Sequence, residues 1–87
     1  MISRTRPSFW REYEALDPRT KLCARRAYRQ FAANPDHPSL RFKKFHGFSN
    51  VWSVRINEQY RAVGERNGDV IEWAWIGSHN DFEKQFA

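Results

Sequence analysis

Arg55 and Arg61 are the residues on which chemistry can be built, because the pattern around them turns them toward one another. Apolar side chains fall at Trp52, Val54 and Ile56, and polar ones at Ser53, Arg55 and Asn57, the period-two alternation of a half-buried strand. A second strand starts at Tyr60. If Trp52, Val54, Ile56, Tyr60 and Ala62 share the core face, the loop between the strands holds an odd number of residues. A loop of three (Asn57, Glu58, Gln59) sets Ile56 opposite Tyr60 and Arg55 opposite Arg61. Like charges directly opposite on one sheet face are destabilising. Two guanidinium groups kept together against that repulsion make a fork for an anion, and phosphate is the usual one.

The rest of the composition bounds what such a fork serves. The 87 residues are enough for one domain with one modest core. Seven Phe, four Trp and three Tyr supply large rings to fill it. A formal net charge of +5 fits either a polyanionic partner or a basic, solubilising surface. The single cysteine, Cys23, excludes an internal disulfide and a cysteine-based metal site, and it reads as a small helix filler. His37, His46 and His79 show no metal-ligand spacing, so neither a metal nor another cofactor is expected. No apolar run follows the N-terminal arginines and none reaches membrane-span length, so the expectation is a soluble, cytoplasmic protein with no membrane partner.

The elements that must position the arginines follow from periodicity and turn chemistry. Residues 1 to 6 are polar and basic, loose or an edge strand. Phe9, Trp10, Tyr13 and Leu16 form the stripe of an amphipathic helix with Ser8 as its expected N-cap. Asp17-Pro18 ends it and starts a second helix, with Ala24, Ala27, Tyr28 and Phe31 inward and a stop near Asn34-Pro35. Leu40, Phe42 and Phe45, alternating with Arg41, Lys43 and Lys44, begin a sheet. Asn67-Gly68 predicts a type I′ hairpin that pairs Arg66 with Asp69, Ala62 with Trp73 and Tyr60 with Trp75. Asp81 to Phe86 is long enough for one or two helical turns. The expected fold is α+β: an αα-hairpin packed on the aromatic face of a four-stranded, mainly antiparallel twisted sheet, with the arginine face open.

Two further surfaces carry readings. Lys21, Arg25 and Arg29 form a basic row on the second helix, with Arg26 beside it, either a solvated face or a contact for the backbone of structured nucleic acid. Arg61 itself has a bland alternative, an ion pair with Glu72 across the sheet. The predicted register leaves Val63, Val70 and Ile76 on the solvent side with Glu72 among them, an apolar strip that calls for a covering partner.

The segment from Trp52 to Val63, with the layout of a helical hairpin followed by an antiparallel meander, resembles the RelE/ParE toxin superfamily of bacterial toxin–antitoxin modules. The W-S-x-R-I-x-E-x-x-R spacing is closest to the YoeB-like and HigB-like branches. The stretches Pro38-Ser39-Leu40 to Phe45-His46-Gly47 and Trp75-Ile76-Gly77-Ser78-His79 are also similar, and the likeness covers residues 9 to 82 of what would be one toxin domain, 1–87. It implies a cytotoxic, growth-arresting protein that cleaves mRNA in the ribosomal A site without a metal, held inactive by a cognate antitoxin. The ParE branch instead inhibits DNA gyrase without catalysis, and a third outcome is a homologue that has lost its activity.

The same resemblance assigns the cleavage roles, while charge and the predicted register supply the remaining contacts. Arg61, Arg55 and His79 match the cleavage residues, with Arg61 and Arg55 suited to hold phosphate oxygens and His79 to move a proton near neutral pH. Lys43, Lys44 and Arg41 would bind adjacent RNA phosphates, and Arg25 and Arg29 the structured RNA. Val63, Val70, Glu72 and Ile76 would meet an acidic, amphipathic antitoxin segment. Three positions depart from the pattern. Asn80 stands where RelE and HigB patterns commonly carry Arg, Phe82 and Phe86 stand where a Tyr often lies, and the acidic base of the YoeB branch has only Asp36 nearby.

Overall fold

Helix starts in this chain are set by proline and by what precedes it. In the computed structural model, which describes residues 1–86, Asp17 sits in extended backbone and accepts a hydrogen bond from the Thr20 amide. Pro18, with no amide hydrogen to leave orphaned, takes the first helical position. That cap opens the helix Pro18–Ala33 (α2), which stops at Asn34. The preceding helix, Pro7–Glu14 (α1), also starts on a proline, with Arg6 at the cap position and no side-chain cap. Ser8 is therefore inside the helix rather than at its cap, and its hydroxyl donates to the Ala74 carbonyl at 2.7 Å.

Ile2–Thr5 (β1) runs parallel to Val70–Ser78 (β5) and makes a fifth strand, one more than expected; the loose N-terminal segment is an edge strand. Arg6 helps hold it there by bridging Glu72 at 2.6 Å and Glu65 at 3.1 Å. The remaining strands, Lys43–Lys44 (β2), Val51–Arg55 (β3) and Tyr60–Asn67 (β4), are antiparallel to their neighbours, and the sheet order is β1-β5-β4-β3-β2. A last helix, His79–Phe86 (α3), follows β5 directly.

The β4–β5 register corrects the expected one. The ladder closes at Asn67 opposite Val70, so Gly68 and Asp69 form the two-residue turn. Only the glycine has positive φ (+60°), as in a type II′ turn with glycine at its first central position. A shift of two residues leaves each side chain on its expected face, but a β-bulge then follows at Val63/Gly64, where Ala74 has no partner across the ladder. Ser8 takes up the carbonyl of this extra residue. Beyond the bulge the faces exchange: Val63 pairs with Trp75, and Ala62 with Ile76.

Two cores result, one on each side of the sheet. Under the helical hairpin lie Ala24, Ala27, Phe31, Leu40, Val54, Ala62, Ile71, Trp73 and Ile76. Between Ala24 and Ala27 and the floor of Val54, Ile56 and Ile76 remains a largely apolar cavity of about 520 Å³. On the opposite face α3 buries Phe82 against Val63 and Trp75, with Phe45, Val51 and Phe86 around them. The arginine face is thus not open along its whole length. α3 closes the Val63–Trp75 part and leaves the Arg55–Arg61 end.

Candidate phosphate-binding site

Parity predicted the central feature and the ladder contains it: Arg55, the last residue of β3, lies directly opposite Arg61, the second of β4. The short loop is tied by Asn57, whose side-chain oxygen accepts from the amides of Gln59 and Tyr60, both at 2.9 Å. Arg61 Nη1 donates to the carbonyls of Asn57 (2.7 Å) and Tyr60 (3.0 Å), so one corner of its guanidinium is fixed and the remaining N–H groups stay available. Across β4, Arg61 faces Gly77, which presents no side chain. A β-carbon at Gly77 would lie 2.6 Å from the Trp75 ring, so the glycine makes room for the indole.

Arg41 adds a third positive charge that acts on Arg61. It ends the 3-10 turn Pro38–Leu40, which is anchored by the fully buried Leu40 and by the Ser39 amide donating to His37 Nδ1. Its backbone is left-handed (φ +45°), unusual for a side chain other than Gly, Asn or Asp. Burial first, then the charges of Arg55 and Arg41, hold the Arg61 guanidinium below the ordinary arginine value. Among the described residues no carboxylate comes within 4.0 Å of Arg41, Arg55 or Arg61. The alternative pairing of Arg61 with Glu72 is overturned, since Glu72 is held by Arg6 on the far side of the bulge. Arg55 and Arg61, half-buried, and Arg41, exposed, are cations without counter-charge, arranged to gain from an anion with several oxygens.

His79 opens α3 at the same end of the sheet, two residues beyond Gly77, and its backbone amide donates to the Gln59 carbonyl of the arginine loop. Its ring lies back along the helix, stacked on Phe82 with Nε2 3.4 Å from Glu83. Lys43 pairs with Ser53 and so shares the arginine face, whereas Lys44 pairs with Trp52 on the hairpin side; both are exposed. Among the described residues no group of three or more His, Cys, Asp or Glu could hold a metal, and no helix is long and apolar enough to cross a membrane.

Residues 19–84 match the family model of the ParE-like toxin domain. The chain belongs to the RelE/ParE toxin superfamily. Solved structures share the fold at low identity. A chain of the RelB–RelE antitoxin–toxin complex from Methanococcus jannaschii superposes with a TM-score of 0.77 at 16% identity, covering 97% of this chain and 99% of that one. The YoeB/ParE toxin from Agrobacterium tumefaciens gives 0.69 at 22%, covering 91% and 99%. YoeB from Staphylococcus aureus gives 0.69 at 17%, covering 91% and 97%. A comparison with curated protein sequences found no match.

Within this RelE/ParE fold several expected site residues lie elsewhere. Arg25 borders the apolar cavity on the hairpin side, beside Arg4 and Tyr28, and is not part of the arginine cluster. Arg29 is exposed on the same helix. The helix residue that does approach the cluster is Arg26, which shares a hollow with Arg55. Its signal was present in the helical period, since Cys23, Arg26 and Gln30 flank the inward Ala27. The apolar strip does not exist as a surface. Val63 (4% exposed) lies under α3 and Ile76 (2%) under the hairpin, on opposite faces because of the bulge. Val70 and Glu72 are half-buried, Glu72 in its ion pairs with Arg6.

Proposed function

We propose that this chain is the toxin of a type II toxin–antitoxin module and a metal-independent, ribosome-dependent mRNA endonuclease, neutralised by an antitoxin. The observation that carries the reading is the cross-strand pair of Arg55 and Arg61, uncompensated by carboxylates, at the uncovered end of the sheet. Strand scission requires the ribose 2′-oxygen to attack the adjacent phosphorus while the 5′-oxygen leaves, giving a 2′,3′-cyclic phosphate and a free 5′-hydroxyl. Arg61 and Arg55 would hold the phosphate oxygens and stabilise the charge that builds in the pentavalent state, with Arg41 adding a third cation. His79, turned from Glu83 toward the phosphate, would accept the 2′-proton or supply one to the 5′-oxygen. Lys43 on the same face, with Lys44 beside it, would meet flanking phosphates, and Arg25 and Arg29 the structured RNA around the message.

Inducing the protein in cells and mapping transcript ends tests this. Wild type is expected to cut messages at translated positions. His79→Ala should cut about 100- to 10,000-fold more slowly, the usual contribution of one general acid or base. Growth arrest with intact transcripts would contradict the reading. One observation favours a second reading, non-enzymatic inhibition of DNA gyrase: Phe82 fills the core under α3 and offers no proton. Loss of supercoiling by gyrase mixed with the pure protein would support that alternative. The antitoxin is the proposed partner in either case.

A further inference from the structure

Arg55 walls two spaces. Besides facing Arg61, it borders a hollow of about 370 Å³ set between α2, the 3-10 turn and the β3–β4 loop. Arg26 and Gln30 enter this hollow from α2, Ser39 from the turn, and Asn57 and Glu58 from the loop. We propose that the hollow is a second phosphate subsite, taking the phosphodiester next to the one held at Arg61 on a single strand of RNA. The proposal rests on the reading of RNA as substrate and extends it to the path of the strand.

Two arginines from separate elements line one concavity, and among the described residues neither has a carboxylate within 4.0 Å. Glu58 is the one carboxylate on the rim, so the hollow keeps a net positive charge. Its polar wall is held in place by a network: Ser39 Oγ lies 2.9 Å from both Gln30 Oε1 and His37 Nδ1, and His37 Nε2 lies 3.2 Å from the Gln30 amide nitrogen. Ala27, Leu40 and Ile56 give it an apolar floor on which a sugar can rest. A strand leaving Arg61 for this hollow crosses Arg55, so the two subsites lie in series along one backbone. Arg19, exposed at the start of the same helix and outside the lining of the hollow, supplies an internal control.

The test is binding of a short single-stranded RNA, 2′-O-methylated to prevent cleavage, by fluorescence anisotropy over a salt series starting at low ionic strength. Each phosphate contact to a single strand contributes about 0.7 to the slope of log affinity against log salt. Arg26→Ala and Arg26→Gln should each lower the slope by about 0.7, and Arg19→Ala should leave it unchanged, with circular dichroism melting to show that each variant is folded. An unchanged slope in the Arg26 variants, or an equal loss at Arg19, overturns the subsite. If Arg61→Ala weakens binding while the Arg26 variants do not, the subsite falls and RNA as substrate stands. Absence of binding by wild type also overturns the subsite, and transcript mapping then judges the wider reading independently.

Discussion

Arg55 makes no side-chain hydrogen bond among the described residues, yet it is held opposite a like charge. Removing its charge therefore relieves repulsion without stranding a partner. Arg55→Gln is expected to raise folding stability by about 0.2–1 kcal/mol, the range of cross-strand pair effects, while weakening binding to RNA. Urea denaturation and an RNA-binding assay on the same sample check both signs, and a variant that loses stability and binding together would mean that Arg55 serves the fold. The Arg55–Arg61 pairing was legible because it depends only on the alternation of nine residues and the parity of one loop. Arg41 was legible only as a basic residue near the sheet. Its place in the cluster depends on a left-handed backbone after a turn pinned by Leu40, and neither period nor composition encodes that geometry.

At the scale of elements, α2 was read almost to its ends because Asp17 and Pro18 are local signals that act on adjacent amides. The Asp17 carboxylate is held below the ordinary aspartate range, first by the Thr20 hydroxyl and then by amides of the first turn. Its stabilising effect is therefore complete above the unfolded-state value and is lost as pH falls through the folded one. Asp17→Asn, which caps without titrating, should flatten the acid side of the stability–pH curve, as thermal melts over the acidic range would show. An unchanged acid limb would sink the assignment. The β4–β5 pair was read less well, because strict alternation cannot announce a bulge. Gly64 marks the place: a β-carbon there would lie 2.8 Å from the Glu72 carbonyl oxygen, a backbone atom that cannot step aside cheaply. Gly64→Ala should cost about 1–3 kcal/mol, as overpacking does, seen as a lower denaturant midpoint, whereas a neutral substitution would show that the bulge yields.

Across the whole molecule, the fold class was legible because a helical stripe, two turns and an aromatic face each point to the same layered arrangement. The fifth strand was legible only as one of two readings of the N-terminal segment, since three polar or basic residues after one isoleucine carry no strand signature and are held by backbone pairing and by Arg6. The second core was not legible. Phe82 and Phe86 hold α3 over Val63 and Trp75. That helix confines the exposed part of the face to its arginine end, so a bound strand has a defined place to lie. The account stands or falls on what happens to a message there. Purified ribosomes programmed with a defined mRNA, incubated with wild type or Arg61→Ala and read by primer extension, test it most directly. The account predicts a cut in the A-site codon ending in a 2′,3′-cyclic phosphate, at least about 100-fold slower with Arg61→Ala, the usual loss when one transition-state donor is removed. An intact message with wild type, or equal cleavage by the variant, would contradict it.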